Sequence, residues 1–178
     1  MNLFDILGPV MVGPSSSHTA GAVRIGRMAR ALLGQEPVKA QLLLHGSFAS
    51  TGEGHGTHQA LIAGLLGLTP DDSRVPDSFA LAQERGLEFH FGTCDLRDVH
   101  PNSVLVTLEG NQGGRLEVGA SSPGGGRIRV FRVDGRVVER QEFPLALEPG
   151  EEELSALAAA GALLLLGVPP EELSPGPV

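Results

Sequence analysis

The chain reads as a mixed α/β fold, with helices packed on one mixed or largely antiparallel sheet. Three observations predict it. Helix-period and strand-like segments alternate up to residue 91. Four short strand-like runs then follow one another, separated by Gly-, Asn- and Asp-rich turns. Hydrophobic residues make up 41% of 178, enough for one ordinary core built mostly from Leu, Val, Ala and Ile.

The elements follow in order. Residues 19–33 carry apolar side chains at Val23, Ile25, Met28, Ala29, Leu32 and Leu33, which is helix spacing. Arg24, Arg27 and Arg30 mark one wet or anion-facing side, and Gly34 is a stop. Val38 to Leu44 is a buried strand. Gly46 to Gly56 is a polar, glycine-rich loop, and Thr57 to Leu66 a short apolar helix. A loop from Thr69 to Pro76 leads to a helix from Asp77 to Arg85, capped by Gly86, and a short strand from Leu87 to Phe91. The four strand runs are Val104 to Leu108, Arg115 to Ala120, Ile128 to Val133 and Val137 to Phe143. Asp134-Gly135 between the last two is a two-residue hairpin signal, so an antiparallel meander is expected. Glu151 to Leu166 reads as a final helix with an acidic first turn, ended by Gly167 and followed by a loose tail. The expected organisation is one domain over residues 1–150, with a C-terminal helix and tail over 151–178.

Composition narrows the function. A net charge of −8 and a pI near 5.2 argue against a nucleic-acid partner. No apolar run reaches the length of a membrane span, and the first residues lack a signal-peptide pattern, so a cytoplasmic protein is expected. Cys94 is the single cysteine, too few for a disulfide or for the thiolates of an iron–sulfur cluster.

Chemistry concentrates in three polar clusters at element ends. The first is Ser15-Ser16-Ser17-His18-Thr19, where a loop becomes a helix. The free N–H groups and partial positive charge of a helix start attract carboxylates and phosphates, and Ser17 or Thr19 is suited to be the N-cap. His18 has a side chain that exchanges protons near neutral pH. The second cluster runs from Gly52 through Glu53, His55, Gly56 and Thr57 to His58, and the third is His100-Pro101-Asn102. Each also has a plainer reading as a cap or a turn. His45 and His58 read as structural, His90 as a surface residue and Cys94 as a small buried or loop residue. His55 and His58 share metal-ligand spacing but lack a recognisable third ligand. No nucleophile elbow supports a hydrolase.

The string Gly-Pro-Ser-Ser-Ser-His-Thr-Ala-Gly-Ala at 13–22, with Gly54-His55-Gly56-Thr57 downstream and His100-Pro101-Asn102 beyond, closely resembles the iron–sulfur L-serine dehydratases. The resemblance is to the beta chain of the two-chain type and covers roughly residues 3–145. It implies a fold like the allosteric substrate-binding domain of phosphoglycerate dehydrogenases. It also implies an alpha-chain partner that carries a [4Fe–4S] cluster, with no metal held by this chain. Serine would meet that cluster and leave as pyruvate and ammonia. His18 and His55 become the candidate catalytic groups. Ser15, Ser16, Ser17, Thr19, Gly56, Thr57, His100 and Asn102 become candidate substrate-binding residues. A homodimer of beta chains is a further expectation. With only residues 151–178 after the expected domain, the regulatory ACT module of some relatives is expected to be absent. His58 stands where the family usually has Asp, and His45 where an aromatic residue is common. An alternative is a domain that senses serine or another small anion without chemistry of its own.

Overall fold

Apolar side chains at Val23, Ile25, Met28 and Ala29 line up at helix spacing, and the helix they predict (α1) runs over Ser16–Leu33 in the computed structural model. The structure describes residues 16–51, 56–124 and 127–143. Ser15, His55, the expected final helix and the domain boundary at residue 150 lie outside the described residues.

After α1 come β1 (Pro37–His45), α2 (Ser47–Thr51) and α3 (Thr57–Leu65). A short 3-10 turn at Val75–Asp77 precedes α4 (Ser78–Glu84) and β2 (Glu88–Thr93). The meander is β3 (Ser103–Gly110), β4 (Arg115–Gly124), β5 (Arg127–Val133) and β6 (Arg136–Phe143). The six strands lie in the order β2-β1-β3-β4-β5-β6. β1 and β2 pair in parallel, and every other neighbouring pair is antiparallel. A parallel pair needs a crossover, and α2, α3 and α4 supply it. The sheet is therefore mixed, as the sequence predicts.

Alternation sets the core face. Ala40, Leu42 and Leu44 of β1, Val104, Val106 and Leu108 of β3, and Leu116, Val118 and Ala120 of β4 are buried. α1 packs on this face, and α3 packs on α1. α1 is thus covered on two sides. Arg24, Arg27 and Arg30, expected on a wet face, are half-buried instead. Arg30 pairs with Glu36 and donates to the Leu65 carbonyl at 2.9 Å. Arg85 donates to the Leu66 carbonyl at 3.0 Å, so two guanidinium groups satisfy the negative end of α3.

Several boundaries differ from expectation: β4 runs on to Gly124 rather than ending at Ala120, β2 to Thr93 rather than Phe91, and two further differences have clear physical reasons. The loop after β1 contains α2, because Phe48 is fully buried and folds its neighbours into a helical turn. α1 begins at Ser16, so neither Ser17 nor Thr19 is its N-cap; both have joined the helix. The Asp134-Gly135 hairpin is as expected. Both residues have positive φ (46° and 77°), and Asp134 binds Glu117 through its amide at 2.7 Å and its carboxylate at 2.8 Å.

Candidate functional site

The first cluster is the N-terminal turn of α1. Ser16, Ser17, His18 and Thr19 follow one another along its backbone, and Thr19 is buried. Two residues on, Gly21 lies flat against β4. A Cβ there would sit 1.9 Å from Ser122 Oγ and 2.7 Å from Ser122 Cβ, so only glycine lets the helix start come this close to the sheet.

Ser122 is also where the third cluster attaches. The Ser122 amide donates to the Asn102 carbonyl at 2.8 Å. The Asn102 side chain donates through Nδ2 to the Ser122 carbonyl at 3.3 Å, which turns Oδ1 the other way. Within the turn, the Asn102 amide donates to His100 Nδ1 at 3.0 Å, and Ser103 Oγ donates to the His100 carbonyl at 2.5 Å. The Ser47 amide donates to the Pro101 carbonyl at 2.9 Å. Gly46, with φ of 58°, approaches the same carbonyl so closely that a Cβ would lie 2.4 Å from it. The turn from His100 to Asn102 is thereby pinned at each residue. Burial, with the positive charge of Arg129 nearby, holds the His100 imidazole below its ordinary pKa of 6.5.

The second cluster enters at the start of α3. Gly56 has φ of 71° and ψ of 19°, a left-handed conformation that favours glycine, and its carbonyl accepts the Ala60 amide at 3.0 Å. Thr57 is fully buried, and among the described residues its Oγ1 has no hydrogen-bond partner. A buried hydroxyl without a partner costs free energy unless something else supplies one.

The sheet brings the first and third clusters together at Ser122, and the helix pair joins α3 to α1. α1 and α3 run in the same sense. Gly26 rests on Gly64, and one turn later Arg30 reaches Leu65 and lies 3.6 Å from where a Cβ on Gly67 would be. Their N-terminal ends therefore share one end of the pair. That end carries Gly21 against Ser122 and, through Ser122, the Asn102 turn. The N-terminal part of α1 and the His100–Asn102 turn thus meet at Ser122. The side-chain hydrogen bonds of His45, His90 and Cys94 go elsewhere. His45 Nδ1 accepts the Leu96 amide at 3.1 Å, and His58 stands edge-on to Phe91 at 4.4 Å. Exposed His90 pairs with Glu88 at 2.9 Å, and the Cys94 thiol donates weakly to the Leu43 carbonyl at 3.5 Å. Burial pushes the Cys94 thiol above its ordinary pKa, with Asp95 adding to the effect.

Ser103 and Ser122 were not singled out by sequence reasoning. Both are buried hydroxyl residues in otherwise apolar strands, and that was the signal available. Among the described residues, no group of three or more His, Cys, Asp or Glu could hold a metal ion. No helix among them is long and apolar enough to cross a membrane.

With this geometry in place, similarity to known proteins can be read. The sequence pattern of a family described as serine dehydratase beta chain matches residues 2–130. The chain is 41% identical over 163 residues to the L-serine dehydratase, beta chain, of Peptoniphilus asaccharolyticus, covering 90% of this chain and 73% of that one. It is 46% identical over 134 residues to the probable L-serine dehydratase, beta chain, of Bacillus subtilis, covering 75% of this chain and 60% of that one. It is also 39% identical over 77 residues to L-serine dehydratase 2 of Escherichia coli, a stretch that is 40% of this chain and 16% of that protein.

Proposed function

The chain belongs to the serine dehydratase beta chain family, and from that premise we propose that it completes the active site of an L-serine ammonia-lyase whose other half is an alpha chain. The reaction converts L-serine to pyruvate and ammonia. The observation that carries this reading is the approach of α1 to the His100–Asn102 turn through Ser122, and beside them we place the start of α3.

The residues of this chain do not fit an iron–sulfur cluster. Clusters are held by thiolates, and the sole cysteine keeps its proton beneath the Leu43 carbonyl. We assign the [4Fe–4S] cluster to the alpha chain. This chain supplies binding and proton handling. Ser15, Ser16 and Ser17, with the α1 amides, hold the substrate carboxylate. Thr57 Oγ1, buried and without a partner among the described residues, gains one when a polar substrate group closes over α3. Gly56 allows the chain to pass close beside that group. Thr19, buried in the first turn of α1, and Asn102 and His100 complete the substrate site. His18 and His55 are the candidates for moving the α-proton and the proton of the leaving hydroxide, since imidazole exchanges protons near neutral pH.

The test is turnover. His55→Ala in a reconstituted two-chain enzyme is expected to lower kcat by roughly 100-fold or more. Near-normal turnover would remove His55 from the chemistry.

A further inference from the structure

Of the three histidines assigned to the proposed site, His18, His55 and His100, the structure shows the hydrogen bonding of His100. The backbone amide of Asn102 donates to His100 Nδ1 at 3.0 Å. A backbone N–H can only donate, so Nδ1 must be the acceptor and carries no proton. The neutral ring then has its proton on Nε2. Holding this arrangement, the Ser103 hydroxyl donates to the His100 carbonyl at 2.5 Å, and the Ser47 amide donates to the neighbouring Pro101 carbonyl at 2.9 Å. The ring therefore sits on a turn with no slack. To take up a second proton, Nδ1 would have to break its bond to Asn102 and leave that half-buried amide without its partner.

We propose that His100 is a fixed hydrogen-bond donor to an oxygen of the substrate, through Nε2–H, and takes no part in proton transfer. This rests on the reading of the chain as a serine dehydratase subunit and deepens it: proton transfer is left to His18 and His55. The lowered pKa of His100 agrees, since burial and Arg129 both disfavour an imidazolium there. His100 is half-buried rather than enclosed.

Two experiments test it. The first is nitrogen-15 NMR of the imidazoles in the full chain at neutral pH, with His100→Gln used to assign the signal. The Nε2–H tautomer is expected. An Nδ1–H tautomer or an imidazolium overturns the proposal, whatever the enzyme does. The second uses the reconstituted two-chain enzyme. Glutamine keeps an N–H near the position of Nε2 but cannot act as a base. His100→Ala is expected to lower kcat/KM roughly 10- to 100-fold, mainly through KM, as loss of a hydrogen bond to a charged group does. His100→Gln is expected to recover most of that loss. An alanine variant equal to the unmodified enzyme overturns the proposal. So does a glutamine variant as impaired as alanine with kcat reduced in both. If the unmodified two-chain assembly fails to act on serine, the functional reading falls instead, and the NMR result still decides the tautomer.

Discussion

Replacing Gly64 by alanine should drive apart the two helices that carry the candidate site. A Cβ at Gly64 would lie 2.1 Å from the Val23 carbonyl oxygen, 2.8 Å from the Arg27 amide nitrogen and 2.8 Å from Gly26 Cα. All three are backbone atoms, so no side chain can swing aside. Ordinary contact begins at 3.4 Å, so the oxygen alone demands a separation of about 1.3 Å, from 3.4 minus 2.1. Overpacking of this kind costs up to about 3 kcal/mol, and alanine returns about 1 kcal/mol of helix propensity relative to glycine. The net loss is then about 2 kcal/mol, which for a chain of this size lowers Tm by roughly 4–8 °C. Thermal and urea unfolding of the full chain measure it. Gly26→Ala should behave alike, since its Cβ would lie 2.4 Å from the Leu61 carbonyl. The double variant should cost less than the sum, because helices already separated have made room for the second methyl. A Gly64→Ala chain as stable as the original, or more stable, would show that propensity wins and that the backbones do not touch.

The remaining predictions concern the site and its surroundings. Gly21→Ala should destabilise the chain and lower two-chain activity, because its Cβ meets Ser122 Oγ and Cβ. Ser122→Gly added to it removes both clashing atoms and should restore part of the Tm. His100 has a folded pKa below its ordinary value of 6.5, so the folded state binds its proton less readily than the unfolded chain. Its contribution to stability is complete above pH 6.5 and fades as pH falls below it; urea midpoints of His100→Gln should show a weaker decline on acidification than the original chain. The carboxyl of Asp72 is held at about 2 by its bonds to Arg74, so its contribution is present above the ordinary 3.8 and lost as pH falls toward 2. Asp72→Asn should flatten the unfolding profile in that acid window alone. Cys94, with its thiol pushed up by burial, should react with iodoacetamide at pH 8 more slowly than a free cysteine.

What the sequence made legible was local. The Asp134-Gly135 hairpin could be read because two positive-φ residues in a row select one turn type. The meander could be read from alternation. What could not be read depends on contacts between distant segments. Arg24, Arg27 and Arg30 look like a solvated stripe until α3 is laid on α1, after which Arg30 becomes a cap for the Leu65 carbonyl. α2 has no helical period in its five residues and exists because Phe48 is buried. The polar clusters were visible as motifs, but their meeting required the strand order, with β3 and β4 adjacent so that Asn102 and Ser122 could pair. Gly21 looked like part of a motif, and its reason is the Ser122 side chain that stands where its Cβ would be.

The most direct measurement is pyruvate formation from L-serine by this chain co-expressed anaerobically with a cysteine-bearing alpha chain, beside each chain alone. Completion of a shared site predicts a stable complex that makes pyruvate and two separate chains that do not. A complex that forms and is inactive, or turnover by either chain alone at the rate of the pair, contradicts it.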